Sequence, residues 1–444
     1  MNTPISQHLA AAALLACLAF PASATAQSPL TLDEAVSRAA TNNPGIRASR
    51  ASEAEAVSRV DQARSVFFPH IEFTESWMRG NQPVYVFGSL LNQRNFGPAN
   101  FDIAALNHPD PLTNVRTAFS AEQVVFDAGH MSAGMDIAHL GAQAAALGTR
   151  DAMQALKVAA TQAYGQVLMA QVQRRVAESA VTGAQEDVLR AEHRRDAGMA
   201  TEADVLALRV HLAQMRQRAI SATSQDTIAR AQLNEVMGEP IESVFQLQEP
   251  VSPPDDDRPA VSVDDRDLLK NRTDVARAAI QAQIASAQVS AARSTWLPQA
   301  FLQGAYEFNG GSFTTQVSAW TVGAALRWNL FSGMADSAKI KEARAAMERA
   351  QAERDQTEAH ARVEWRSAVA RLDESRARGD VARTARAQAR ESQRIIRDRY
   401  EAGLASVNDV LRGATAVLDA DLQYTSAIVD VFVNRALVDR ARGQ

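Results

Sequence analysis

The sequence predicts a mainly α-helical chain, written twice, in which each copy carries two strands of the membrane-barrel type. Three observations carry this expectation. Proline is absent between Leu112 and Glu239 and again from Gln299 to the C-terminus, and both tracts are rich in Ala, Arg, Glu and Gln, which are strong helix formers. Several motifs recur at fixed offsets. Ahead of each helical tract the apolar period changes from helical to two. Composition agrees: 444 residues with 46% hydrophobic and 22% charged content exclude a disordered chain, a collagen and a polytopic helical membrane protein. An aromatic content of 6% with 15 prolines favours long helices over a sandwich. The 46 basic and 51 acidic residues form no block of like charge, so no nucleic-acid partner is expected.

The repeat can be read residue by residue. RSVFFPHIEF from Arg64 matches RSTWLPQAFL from Arg293, which places Pro69 opposite Pro298 as helix–strand junctions 229 positions apart. VVFDAG around Phe126 matches NLFSGM around Phe331, and RDAGMATEADVL around Gly198 matches YEAGLASVNDVL around Gly403, both 205 positions apart. The first copy therefore holds 24 extra residues, assigned to Asn81–Leu112, a Pro-, Asn- and Gly-rich stretch that reads as a long loop where the second copy has the turn FNGGSFTT. A helix from Gly129 to Asp196, and its partner from Gly333 to Glu401, would each extend about 100 Å. Glycines 198 and 403 then reverse the chain. The returning helices carry apolar seams at Val205, Leu208, Leu212 and Met215, and at Val410, Val417, Ala420, Tyr424, Ile428 and Val431. Those seams read as core packing, so each copy ends in an antiparallel helical hairpin. The expected division is an export signal over 1–26, a first repeat over 27–238, a connector over 239–263 containing PVSPPDDD, and a second repeat over 264–444.

Leu9–Phe20 has the length of a secretory apolar core and is followed by Pro21 and small-x-small sites ending at Ala24 and Ala26, although the first basic side chain is Arg38. The sole cysteine, Cys17, lies in this run, so cleavage would leave no thiol for a disulfide or metal site. Leu15-Ala16-Cys17 weakly resembles a lipoprotein cleavage site. No other stretch reaches the roughly 18 apolar residues of a membrane helix, so any span must be built from strands. Trp320, Val322, Ala324, Leu326, Trp328 and Leu330 alternate with Thr321, Gly323, Ala325, Arg327 and Asn329. In the first copy Val115, Thr117, Phe119 and Val125 alternate with Arg116, Ser120 and Glu122, while Ile71, Phe73 and Trp77, or Leu302, Tyr306 and Phe308, would point outward. Glu75 interrupts that face. Alternation alone fits a soluble sheet with one wet face equally well. If the strands lie in lipid, their edges must be paired, and four strands cannot close a barrel, so several copies must share one.

With TLDEAVSRAATNNP at Thr31, the paired proline junctions, the FDAG and FSGM helix starts and the duplicated AG-x6-VL turns in this order, the chain resembles the TolC-like outer-membrane factors of Gram-negative bacteria over nearly its whole mature length. The resemblance implies a homotrimer whose protomers each give four strands to a shared twelve-stranded barrel, continued by a periplasmic tunnel of long coiled hairpins. It implies an outer-membrane exit duct, extending into the periplasm, of a tripartite efflux or type I secretion system. Such a duct would dock a periplasmic adaptor (membrane fusion) protein and an inner-membrane transporter, contact outer-membrane lipid, and pass drugs, metal ions or polypeptides unchanged. In the family the acid matching Asp409 lines the closed entrance, and the one matching Asp204 bonds a tyrosine matching Tyr400. With Arg412 these are the expected entrance residues. Ala405 stands where the best-known members carry an arginine that latches neighbouring protomers, and Arg412 replaces a second entrance acid, which would partly neutralise an Asp409 ring. Arg195, Gly198, Ala200, Gly403, Ala405 and Ser406 would form the outermost tip, open to an adaptor hairpin. Stabilisation of a helix start explains the two acids equally well, and turn geometry explains the small residues.

Competing classes leave weaker marks. His130, His139, His193 and His211 are scattered without an H-E-x-x-H motif, and neither a G-x-S-x-G elbow nor a G-x4-G-K-[ST] loop occurs. No enzymatic activity, metal or cofactor is expected, and the energy for transport must come from a partner. A soluble coiled-coil scaffold is one rival. A diffusion porin is another, but its strands would dominate the sequence.

Overall fold

The computed structural model describes residues 29–248 and 265–443; the export signal with Cys17 and the PVSPPDDD part of the connector lie outside the described residues. Two sets of helices, each carrying two strands, follow one another along the chain. The first set comprises α1 (Leu32–Asn42), α2 (Pro44–Ser65), β1 (His70–Gly80), α3 (Pro83–Asn92), α4 (Ile103–Asn107), β2 (Leu112–Phe126), α5 (His130–Asp196) and α6 (Glu202–Met237). The second comprises α7 (Asp265–Asn271), α8 (Thr273–Ser294), β3 (Gln299–Gly310), β4 (Val317–Arg327), α9 (Ala335–Glu401) and α10 (Val407–Ala441). Among the described residues no helix is long and apolar enough to cross a membrane.

Helices α5 and α9 each run for 67 residues, or about 100 Å at 1.5 Å per residue. They start one or two residues later than the glycines expected to open them. At the first start the Asp127 carboxylate accepts the Gly129 and Met131 amides at 3.1 and 2.6 Å, and at the second the Ser332 hydroxyl accepts the Asp336 amide at 3.4 Å. Side chains at equivalent positions thus satisfy amides that a helix start leaves unpaired.

The helices form a single layer in two tiers. In the tier next to the strands the order is α2, α5, α8, α9; in the tier of the hairpins it is α6, α5, α10, α9. Only α5 and α9 run through both. Close approach is permitted by alanine: Ala163, Ala170 and Ala229 are buried with Val167, Leu233 and Met237 in a cluster at the junction of the tiers. Connector residues return to this belt, where Leu30 and Leu247 form a parallel bridge and the Tyr164 hydroxyl lies 2.9 Å from the carbonyls of both Leu30 and Gln248.

The returning helices end in matching contacts. Gly238, after α6, has φ +69°, and a Cβ there would lie 2.6 Å from the Asn42 carbonyl oxygen; Gly443, after α10, has φ +80° and would meet the Asn271 oxygen at 2.2 Å. Beside them, Asn43 donates to the Val236 carbonyl at 2.9 Å and Arg272 donates to the Ala441 carbonyl at 3.2 Å. An amide in one copy and a guanidinium in the other therefore cap the same helix end. Burial of Arg272 is offset by Asp274 and Glu364, which accept at 2.7 and 2.5 Å and keep it charged.

All four strands form one antiparallel sheet in the order β1-β2-β3-β4, leaving the outer edges of β1 and β4 unpaired. The cross-strand partners Trp77 and Val115, Phe73 and Phe119, Phe119 and Tyr306, and Tyr306 and Trp320 place the apolar residues on one face. Trp320 and Val322 on that face are 72% and 78% exposed. Arg116, Glu307, Asn114, Asn309 and Gln303 alternate onto the other, where Arg116 pairs with Glu307 in two hydrogen bonds. The junctions at Pro69 and Pro298 also repeat: Phe67 and Phe68 donate back to Arg64 and Ser65, and Trp296 and Leu297 to Arg293 and Ser294. Their exposed rings stand where an aromatic belt would meet a membrane interface.

Three local expectations are corrected. The 81–112 segment is not a loop but folds into α3, a 3-10 turn (Pro98–Phe101) and α4, held by the edge-to-face rings of Phe87, Phe96 and Phe101. Val115 lies on the apolar face but is only 2% exposed, and an irregularity between Val124 and Phe126 takes Val125 out of register. Trp328 and Leu330 are exposed but follow the end of β4. Replacing Gly238 by alanine should cost about 1–2 kcal/mol from the left-handed backbone alone, with more from contact with Asn42. Chemical unfolding of the purified variant should show the lower midpoint.

Candidate functional site at the hairpin tips

The ends of the two hairpins bring most of the expected residues together. Gly198 and Gly403 adopt φ of +73° and +79° with open space around them, so the long helices stop and the chain turns within three residues. Thr201 and Ser406 then cap α6 and α10. The Thr201 hydroxyl accepts the Asp204 amide at 3.2 Å while the Asp204 carboxylate accepts the Thr201 amide at 3.0 Å and its hydroxyl at 2.8 Å. The second tip repeats this: Asp409 accepts the Ser406 amide at 3.0 Å and hydroxyl at 2.7 Å. Each is a reciprocal capping box. Bonds from Thr201, first its amide and then its hydroxyl, hold the Asp204 carboxyl below the usual range, and bonds from the Ser406 hydroxyl and amide do the same for Asp409.

The expected hydrogen bond between Asp204 and Tyr400 is not formed. Asp204 Oδ2 is taken by its own cap, and the hairpins are tied by Arg194, which the sequence reading passed over. Its guanidinium donates to the Tyr400 carbonyl at 2.8 Å and lies 4.9 Å from the centre of the Tyr400 ring. Arg194 also contributes to lowering the Asp204 carboxyl, so it stands electrostatically between the two groups that were expected to touch. Burial pushes the Tyr400 hydroxyl up. No local signal marks Arg194: it is one of two consecutive arginines at the end of α5, and only the approach of the second hairpin distinguishes it. Arg195 is turned into its own hairpin, with Asp196 at 2.8 Å and Glu202 at 3.0 Å. Arg412 donates to Asp409 at 3.0 Å, as its charge suggested.

Behind the tip, Val188, Ala191, Val205 and Leu208 form a buried cluster joined by Leu212 with Val407 and Leu411 from the other hairpin. The outermost positions are exposed: Met199 and Leu404, equivalent in the two copies, flank the small residues Ala200 and Ala405. No group of His, Cys, Asp and Glu suited to a metal ion occurs among the described residues. The geometry is that of a structural tip with ion pairs and apolar corners.

Comparison with known proteins places this architecture. Residues 35–239 and 266–435 match the family described as Outer membrane efflux protein. The chain belongs to that family: it is an outer-membrane efflux protein with its helical body extending into the periplasm. Among solved structures, the CmeC outer membrane channel of Campylobacter jejuni aligns with a TM-score of 0.79 at 17% identity, covering 93% of this chain and 85% of that one. The outer membrane protein VceC of Vibrio cholerae aligns at 0.76 and 18%, covering 93% and 96%. The MtrE outer membrane channel of Neisseria gonorrhoeae in its open state aligns at 0.73 and 15%, covering 93% and 88%. These likenesses describe a shared fold. No curated protein matches the chain significantly.

The caps have a pH signature. Because both carboxyls are lowered in the folded protein, their stabilisation is complete above the ordinary carboxylate pKa of about 4 and is lost as pH falls through the lower folded values. Amide exchange in the first turns of α6 and α10 should accelerate over that acid window ahead of the remainder of each helix. Thr201→Ala should cost about 1 kcal/mol of helix stability and return the Asp204 carboxyl toward its ordinary pKa, measurable by NMR titration.

Proposed function

We propose that this protein is the exit duct of a tripartite efflux or type I secretion system: a homotrimeric, non-catalytic conduit whose tips meet a periplasmic adaptor and which receives solute from an inner-membrane transporter. One observation carries the reading. The four-stranded sheet has an exposed apolar face and two unpaired edges, and in lipid those edges require partners. The helical layer has matching open edges. Leu206, Val210, Ile220 and Ile228 on α6, and Val363, Val381 and Ile395 on α9, are exposed, and these two helices bound the hairpin tier on opposite sides. Different surfaces at the two edges favour a head-to-tail ring, and three copies would give twelve strands. In that ring Glu75, on edge strand β1, lies beside the neighbour's β4.

The tip supports a closed but releasable entrance. Arg194 holds the hairpins of one protomer together, and separating them costs only polar contacts and a shallow apolar seam. Three Asp409 groups around the axis would favour cations, with Arg412 opposing them. Exposed Met199 and Leu404 beside Ala200 and Ala405 suit the apolar contacts of an adaptor's helical hairpin, with Gly198, Gly403, Arg195 and Ser406 setting the turn that presents them.

Native mass spectrometry of the detergent-purified protein should give a trimer; a persistent monomer would overturn the reading. In planar bilayers Arg194→Ala should raise single-channel conductance, whereas Tyr400→Phe, which keeps the ring and the carbonyl, should leave it unchanged. Arg412→Ala should increase the preference for cations, read as a shift in reversal potential under a salt gradient.

A further inference from the structure

The α3–α4 insert, present in the first copy only, is unexplained by docking or by span. It is anchored across the whole sheet. The Tyr85 hydroxyl donates to the Met78 carbonyl on β1 at 2.7 Å. The Gln93 amide donates to the Thr113 carbonyl and to Asn114 Oδ1, both at 2.9 Å, and Asn114 donates onward to Asn309 Oδ1 at 3.0 Å. Arg94, held at φ +56°, reaches the Ser318 carbonyl on β4 at 3.1 Å. A left-handed arginine costs about 1 kcal/mol, so the anchor holds the backbone against its preference.

The side of attachment follows from register. Asn114 and Asn309 lie on the face of Arg116 and Glu307, opposite Trp77, Phe119, Tyr306 and Trp320. If the aromatic face meets lipid, the insert sits on the inner wall at the end of the barrel away from the helices. Its own amphipathicity is reversed for such a place. Val86, Ser89 and Gln93 are buried, while on the opposite side of α3 Val84 and Leu91 are exposed, Val84 by 80%, with Gly88 half-exposed between them. The polar groups are used on the wall, and the apolar side is turned to the mouth.

Size decides what can cover that side. Twelve strands about 4.8 Å apart and tilted about 40° enclose a cylinder roughly 24 Å across between backbones. A helix with side chains is about 10 Å wide, so three of them arranged around an axis need roughly 22 Å and leave no broad opening. We propose that the insert is an outer gate, in which three copies of α3, seated on the lumen wall, meet through Val84, Gly88 and Leu91 and form an apolar constriction at the outlet. This rests on the trimeric duct reading and adds a second barrier, at the opposite end from the hairpin tips. An apolar ring of that width resists water and ions by dewetting and opens for bulky or apolar cargo that displaces the helices. The partner of each exposed α3 face is thus a second copy of this chain.

The test uses full-length protein with Gly88→Cys, a position where an added Cβ meets nothing within 4 Å, with unsubstituted protein as the control for Cys17. A short bifunctional thiol reagent should join protomers into dimers and trimers, and a bulky monofunctional reagent should lower single-channel conductance by about half. Leu91→Asp, which keeps all of the anchors, should raise conductance severalfold by wetting the ring. Both conductances are read in the Arg194→Ala background, so that the tip entrance does not limit the current. Channels that form normally but show neither cross-linking nor a change in conductance would overturn the outer gate alone. Cross-linking with unchanged conductance would also overturn it, because the copies would then meet above the outlet without narrowing it. A protein that forms no channels and stays monomeric would overturn the duct reading, and the gate with it.

Discussion

A peptide group in oil has no water to bond, and the architecture of this protein follows from that. An unpaired N–H or C=O in hydrocarbon costs several kcal/mol, and β1 and β4 each expose an edge along 11 residues. The sum far exceeds the 5–15 kcal/mol by which a typical domain is stable, which is the reason for the proposal that the protomer is one arc of a shared wall. The helical layer obeys the same geometry without the same penalty: its open edges, α2 or α6 on one side and α9 on the other, can be wetted, although at the cost of exposing apolar side chains. In the proposed ring the strands would therefore supply the demand for closure, and the helices would extend the wall away from the membrane.

Duplication lets one solution serve twice within that arc. The caps at Thr201 and Ser406, the glycines at 238 and 443 and the junctions at Pro69 and Pro298 are the same physical devices at matched places. Where the copies differ, the difference has a role. Asn43 and Arg272 cap the same helix end by different chemistry, and the guanidinium brings two carboxylates with it. Arg194 binds Tyr400 across the hairpins, an asymmetry that no repeat of identical units would provide. Only the first copy carries the insert.

At the tips, the two acids with the strongest sequence signal have their first duty at home. T-x-x-D and S-x-x-D are capping boxes, and the bonds that close the first of them direct Asp204 Oδ2 to Thr201 rather than to the tyrosine. Asp409 is likewise shared between its cap and Arg412. The contact that ties the two hairpins is a cation against an aromatic ring and a carbonyl, between two half-buried side chains.

Periodicity and spacing determined much from the sequence alone: the repeat, the two 67-residue helices, the reversal at Gly198 and Gly403, and strands with one apolar face. These are local properties, set by side-chain volume, backbone freedom and the alternation of a pleated chain. The tertiary structure decided what depends on distant partners. Arg194 acquires its role only when Tyr400 arrives from the other hairpin. Val115 is buried because of its place in the sheet, and the segment after Asn81, read as a loop from its prolines and glycines, becomes helical because Gln93, Asn114 and Asn309 give it a wall to lie on. A hydrogen bond across 195 residues of sequence leaves no periodic trace, since its two ends are brought together by the packing of everything between them.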